Sequence, residues 1–290
     1  MNKTLIYFFQ LLKFRLSISV VFSAITGYFL GINQIDFLQL FYLIFGGFLV
    51  VGSANSFNQI IERERDKFMK RTSSRPLPSK KLSVFSATIF AIIIGFLGVS
   101  MLYFINPNCA YYGFGSIILY VFLYTPLKRF SPISLFVGAI PGAIPFLLGW
   151  VAATGKFELA AGILFAIQFF WQFPHFIAIS WIQHEDYKKA GFKMMIGNEK
   201  GKISVIVSII TSICLMTVSV LPYFVHIPGL SLSNFGFITV SCLNILFLIR
   251  SIQLLSNQDD FSAKRLMMSS FIYLPLLQIT LIIDKYFLIT

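Results

Sequence analysis

The chain has 290 residues, of which 57% are hydrophobic and only 12% charged, about half the charged share of an ordinary soluble domain. That composition excludes a water-soluble globular domain and points to an integral membrane protein. The formal net charge of +12 invites a nucleic-acid reading, which the positions of the basic residues then remove.

From the N-terminus, MNKTLIYFFQLLKFR lacks a small-residue cleavage pattern and runs straight into the first apolar stretch, so no cleaved leader is expected. Apolar runs follow at roughly 14–32, 37–60, 84–104, 110–127, 133–153, 159–182, 203–225, 233–253 and 267–283, each near the ~20 residues that cross a bilayer as a helix. The expected architecture is all-α, with nine transmembrane helices in a single polytopic domain over 1–290 and no soluble domain before or after it. Cys109, Cys214 and Cys242 are far apart and fall in or beside apolar runs, which reads as small core residues rather than metal ligands.

With the N-terminus placed in the cytoplasm, 21 of the 23 Lys and Arg residues fall on that side and only Lys156 and Lys285 lie outside. Nine spans and this positive-inside count agree without adjustment and put the C-terminus on the outer side. The basic balance therefore reports topology and an anionic substrate or lipid surface, with no nucleic acid. The outer connections are short and poor in charge. The connections at about 62–82 and 183–202 face the cytoplasm and hold six of the eleven carboxylates, which makes them candidates for one shared site. Asp66 and Asp186 are 120 residues and four spans apart, a spacing consistent with two duplicated four-helix halves after one extra helix.

The first chemical feature is the stripe in NQIIERERDKFMKRTSSRPLP. Asn58, Glu62 and Asp66 recur at steps of four, so a helix presents three oxygen-bearing side chains on one face. Two carboxylates and an amide oxygen suit magnesium, which takes few protein ligands and completes its shell with phosphate oxygens and water. Arg71 and Arg75 follow closely, suited to receive those phosphates. The plainer alternative is a solvated helix end whose Glu and Arg side chains pair with one another.

YTPLKR, Tyr124 to Arg129, ends the fourth span. Membrane anchoring alone accounts for Lys128 and Arg129, whereas Tyr124 and Lys128 at i, i+4 place a hydroxyl and an ammonium on one face, suited to a diphosphate leaving group. GAIPGAIPFLLGW in the fifth span reads mainly as close helix packing, and secondarily as cavity lining. In the sixth span, WQFPHFIAISWIQHEDYKKAGFKMM places His175 and Gln172 inside an apolar run, where an ionisable residue is by default a functional candidate and a structural histidine the alternative. Glu185 and Asp186 either complete a second metal site or pair with Lys188 and Lys189. His184 reads as an interfacial residue, His226 as structural, and Asp284 with Lys285 as the end of the last span. No Walker loop, dinucleotide fingerprint, CxxC or HExxH motif occurs.

In order, side and spacing, the segments NQIIERERDKFMKRTSSRPLP, YTPLKRFSPISLFVGAIPGAIPFLLGW and WQFPHFIAISWIQHEDYKKAG resemble the three signature regions of the UbiA-type intramembrane prenyltransferases, and within them the haem-farnesylating branch. The resemblance covers essentially the whole chain. It implies a nine-helix UbiA-like bundle whose central cavity opens to the membrane and is capped by the cytoplasmic loops. The family's NxxxDxxxD motif maps onto Asn58, Glu62 and Asp66, with Glu62 in place of the first aspartate. The second motif, DxxxD, would fall at Gln183 and Tyr187 and is absent as written, leaving Glu185 and Asp186 nearby.

What the resemblance implies for function is farnesyl transfer from farnesyl diphosphate to haem B in the cell inner membrane. Mg2+ would sit on Asn58, Glu62 and Asp66, with Glu62, Asp66 and Lys128 as catalytic groups. Arg71, Arg75, Tyr124 and Arg15 would hold the diphosphate, while His175 and Gln172 line the haem side. A contact with a haem A synthase or a terminal oxidase is a further expectation. The rival within the enzyme class is prenylation of a quinone precursor, whose enzymes carry the intact acidic repeat. A transporter would place its polar groups near mid-membrane, whereas this chain concentrates them on one face.

Overall fold

The computed structural model describes residues 3–288 apart from 198; Met1 and Asn2, within the stretch read as lacking a leader, lie outside the described residues. In chain order the helices are α1 (Lys3–Leu11), α2 (Phe14–Gly31), α3 (Phe37–Asp66), α4 (Val84–Tyr103), α5 (Pro107–Ile118) and α6 (Thr125–Leu127). They continue as α7 (Ser134–Thr154), α8 (Leu159–Ile182), α9 (His184–Lys189), α10 (Lys202–Phe224), α11 (Asn234–Asn257) and α12 (Asp260–Ile283). A π-helical turn, Leu119–Tyr124, joins α5 to α6, so that Pro107–Leu127 crosses as one element. Among the described residues nine elements are long and apolar enough to span a bilayer, which makes this a multi-pass membrane protein.

Short polar turns set where the helices begin. Asp36 accepts from the amides of Leu38 and Gln39, Ser83 from Ser86, Asn106 from Cys109 with Pro107 next, Ser233 from Gly236, and Asp259 from Ser262. Each satisfies an amide that the first helical turn leaves unpaired.

Three boundaries differ from the hydropathy reading. The N-terminal stretch does not run straight into the first span: α1 stops, and Lys13, in the left-handed region at φ 46°, turns the chain into α2. The second span continues as helix past the apolar run to Asp66, with Asn58, Glu62 and Asp66 buried against protein and Glu64 between them exposed. The last span starts at Asp260 rather than near 267, since the Asp259 cap nucleates helix through a polar first stretch.

Lipid tails are as apolar as leucine, so close backbone packing and interhelical hydrogen bonds hold such a bundle together. The glycines of α2 and α7 show how closely the helices approach. A Cβ on Gly149 would lie 1.9 Å from the Ala24 carbonyl oxygen, and one on Gly27 would lie 2.1 Å from that of Phe146. On the neighbouring pair, Gly98 of α4 would meet the backbone of Val50 at 2.8 Å, beside a Ser53 hydroxyl that donates to Ala91 O at 2.8 Å. The glycine- and proline-rich fifth span thus serves packing. At the end of the bundle away from the long loops, Asp284 and Lys285 do more than mark a terminus. Asp284 is fully buried and accepts from the Ser233 amide and hydroxyl, while the Lys285 ammonium donates to the carbonyls of Phe29, Leu30 and Ile32, closing the C-terminus of α2.

Candidate functional site

At the opposite, basic end, the two long connections meet. The Arg65 guanidinium donates to the carbonyls of Ala190 (2.6 Å) and Gly191 (3.2 Å), and the Lys193 amide donates to Lys128 O at 2.7 Å. The stripe of α3 lies beneath this junction. Asn58, Glu62 and Asp66 are 2%, 4% and 1% exposed, which rules out the solvated-helix alternative.

Each stripe residue faces one cation. The Lys13 ammonium approaches the Asn58 amide oxygen at 3.5 Å, Lys128 pairs with Glu62 at 2.7 Å, and Arg75 donates to Asp66 Oδ2 at 2.9 Å. The second Asp66 oxygen, Oδ1, is buried without a hydrogen bond among the described residues. The Glu62–Lys128 pair is close, yet its angle also leaves Glu62 Oε1 without a well-directed hydrogen bond. Buried carboxylate oxygens are rarely left this way unless another ligand completes them.

The orientation of Asn58 follows from its neighbours. The Thr125 hydroxyl donates its only proton to Tyr120 O, so it accepts from Asn58 Nδ2, which turns the amide oxygen toward Lys13. The π-helical turn places Thr125 there. Pro126 has no amide to donate, and the ladder shifts so that the Thr125 amide bonds Tyr120 O.

Tyr124 and Lys128 do come together, in a different way from a shared hydrogen-bonding face. The ammonium sits over the Tyr124 ring, 4.5 Å from its centroid, a cation–π contact made alongside its ion pair with Glu62. Gly138 makes room for that ring, since a Cβ there would meet it at 2.5 Å. Burial works against the Lys128 charge, yet the Glu62 carboxylate outweighs it and holds the ammonium above the ordinary lysine range. Lys13 goes the other way. Burial first, then the positive charges of Arg75 and Lys128, lower it to about 7.

The remaining candidates are dispersed. Arg71 and Arg15 are exposed and make no hydrogen bond or ion pair among the described residues; Lys13, two positions earlier, is the residue of that segment that enters the site. Gln172 is buried and donates to Ala139 O and Gln168 O, both at 3.0 Å, tying α8 to α7. Glu185 is exposed and Asp186 half-buried on α9, and neither carboxylate is joined to the α3 stripe among the described residues. Tyr187, where the resemblance expects an aspartate, is half-buried and meets the Phe192 ring edge-on, with centroids 6.2 Å apart. His184 and Lys188 pair with Glu199 at 3.0 and 2.9 Å.

His175 lies apart, between α8 and α12. Its ring stacks on Trp171 with centroids 4.9 Å apart and meets Phe271 edge-on at 5.0 Å. Its Nδ1 is 2.7 Å from the Ser270 hydroxyl, which already donates its proton to Met267 O. Nδ1 therefore carries the ring proton, and Nε2 keeps a free lone pair. No hydrogen bond to Nε2 is found among the described residues.

Sequence reasoning missed Lys13. Its signal was a second basic residue beside Arg15, but the turn that aims it inward depends on a left-handed backbone no pattern announces. No three His, Cys, Asp or Glu side chains converge on one point among the described residues. The stripe instead offers two carboxylates and one oriented amide oxygen, with an unpartnered oxygen between flanking cations. That donor set fits magnesium shared with a polyanion.

The family model for the UbiA prenyltransferase family matches residues 20–274. A protoheme IX farnesyltransferase of Christiangramia forsetii is 47% identical over 279 residues, 96% of this chain and 93% of the relative. Among solved structures, one from work on digeranylgeranylglyceryl phosphate synthase in membranes superposes with a TM-score of 0.82 at 24% identity, covering 98% of this chain and 99% of the other. A UbiA homologue from Archaeoglobus fulgidus bound to DMAPP and Mg2+ gives 0.72 at 15% identity, covering 94% and 98%. The fold, the sequence relatives and the stripe of oxygen ligands agree, and the chain belongs to the UbiA prenyltransferase family.

Proposed function

We propose that the protein transfers a farnesyl group from farnesyl diphosphate to a vinyl side chain of haem B, with addition of water, giving haem O. Relatives named protoheme IX farnesyltransferase match along nearly the full chain. The observation that carries the chemistry is the pairing of Asn58, Glu62 and Asp66 with Lys13, Lys128 and Arg75. These are the groups needed to hold a metal diphosphate.

Mg2+ on Asn58, Glu62 and Asp66 would neutralise the leaving group, as the A. fulgidus homologue with DMAPP and Mg2+ suggests for the family. Lys13, Lys128 and Arg75 would direct N–H groups at the same phosphate oxygens, with Arg71, Arg15 and Tyr124 as additional contacts. In the reaction the C1–O bond of the farnesyl group breaks and the diphosphate leaves with the electron pair. The vinyl π electrons form the new C–C bond, and water adds to the carbon left electron-poor, releasing a proton. Positive charge grows beside a site whose Tyr120 and Tyr124 rings lie 5.0 Å apart, able to shield an allylic cation.

His175 is the proposed haem ligand, through the Nε2 lone pair that Ser270 leaves free. Gln172 shapes that side of the bundle from within the α7–α8 contact. Glu185 and Asp186 would border the entrance rather than hold a second metal. In the membrane, the end bearing the two long connections would face the cytoplasm of a cell with this protein in its inner membrane, and the C-terminus would lie outside. A haem A synthase or terminal oxidase that receives haem O belongs to the same reading. The test is to incubate purified protein in detergent with haem B, farnesyl diphosphate and Mg2+ and separate the haems by chromatography. Haem O is expected from the native chain; its formation at no more than the level of a Glu62→Ala/Asp66→Ala control would overturn the proposal.

A further inference from the structure

Three oxygen-bearing residues and three basic ones meet in this site one to one, so each ligand residue already faces a basic side chain. We propose that Lys13, Lys128 and Arg75 are exchangeable counter-ions, released from Asn58, Glu62 and Asp66 only when metal and diphosphate arrive together, so that neither ligand binds well alone. This rests on the assignment of the stripe as a metal–diphosphate site.

The argument is one of charge in a buried place. Glu62 and Asp66 balance Lys128 and Arg75, so the site is neutral before Lys13 is counted. A divalent cation alone would leave it at +2, with Lys128 and Arg75 confined beside it. Trianionic diphosphate alone would leave it at −3, facing two carboxylates. Both together leave −1, which the Lys13 ammonium beside Asn58 offsets, and each charged group keeps an opposite partner. Uncompensated charge in a desolvated site is far more costly than an exchange of partners, so the joint state is favoured over either partial one.

The geometry suits exchange. The cations stand on separate elements: Lys13 at the α1–α2 turn, Lys128 after α6, Arg75 in the connection after α3. Among the described residues Glu62 Oε1 has only its ion pair with Lys128, and Asp66 Oδ1 has no partner while Arg75 holds Oδ2, so each carboxylate keeps an oxygen that a metal could take. Lys128 also keeps its contact with the Tyr124 ring, 4.5 Å away, a second support when Glu62 turns away.

The test measures binding without turnover. Mn2+ binding to purified protein is followed by electron paramagnetic resonance without diphosphate, and binding of farnesyl thiodiphosphate, an unreactive analogue, is measured with EDTA and with Mg2+. For the native chain, metal alone binds weakly, and Mg2+ strengthens analogue binding by roughly 100-fold, within the range of coupling between linked sites. Lys128→Gln and Arg75→Gln each free a carboxylate and should strengthen metal binding without diphosphate by about tenfold, while weakening the analogue with Mg2+. Equal metal affinity in the native chain and both variants overturns the exchange and leaves the site assignment standing. Metal binding unaffected by Asp66→Asn overturns that assignment as well.

Discussion

Glu62→Gln isolates what the buried pair contributes to stability from what it contributes to chemistry. Glu62 and Lys128 lie 2.7 Å apart with side chains 6% and 11% exposed. At an effective dielectric of ~20 their direct attraction is ~6 kcal/mol, most of it offset by the cost of keeping both charges from water. Glutamine preserves the shape and removes the charge, leaving Lys128 as a buried cation without a partner. The expected loss is about 3–5 kcal/mol, the cost of removing one member of a buried pair, or roughly 6–15 °C in unfolding midpoint for a chain of this size. Lys128→Met should cost a similar amount through the orphaned Glu62. The double variant removes both charges and should recover to within about 2 kcal/mol of the native chain, yet remain without turnover. Thermal unfolding in detergent, followed by tryptophan fluorescence, reads all four proteins. If Glu62→Gln unfolds at the native midpoint, or the double variant is less stable than both single ones, the buried-pair argument is wrong.

Gly149→Ala should destabilise the bundle by about 1–3 kcal/mol, because a Cβ there lies 1.9 Å from backbone that cannot yield; the same assay checks it, and an unchanged midpoint would contradict the close approach of α2 and α7. Ser270→Ala removes the acceptor that keeps the His175 proton on Nδ1, and haem affinity, read from the Soret band, should fall about 10-fold or more. An unaltered haem titration would argue against His175 as the ligand. Lys13, lowered to about 7, is mostly neutral at pH 8 before substrate arrives. The diphosphate favours its charged form, so binding takes up a proton and weakens as pH rises above 7. Calorimetry of analogue binding in two buffers of different ionisation enthalpy should report that uptake, and Lys13→Met should abolish it.

Much of this protein is legible in its composition and order alone. Apolar runs near the thickness of a bilayer can satisfy their backbone only as helices, so nine spans and an all-α fold follow from length and hydropathy. A four-residue repeat of oxygen-bearing side chains needs only helical geometry to become a stripe, which is why Asn58, Glu62 and Asp66 appear together in sequence and in space. The partners of that stripe come from distant segments, and no local periodicity can name them. That Lys13 rather than Arg15 turns inward depends on a left-handed residue between two helices. Lys128 reaches Glu62 because a π-helical turn before Pro126 rotates the end of the fourth span. The His175 tautomer is decided by a serine 95 residues away. Sequence determined the helices and the stripe because those obey short-range rules; the tertiary structure alone decided which cation meets which oxygen, because burial leaves each charge only the neighbours the packing supplies.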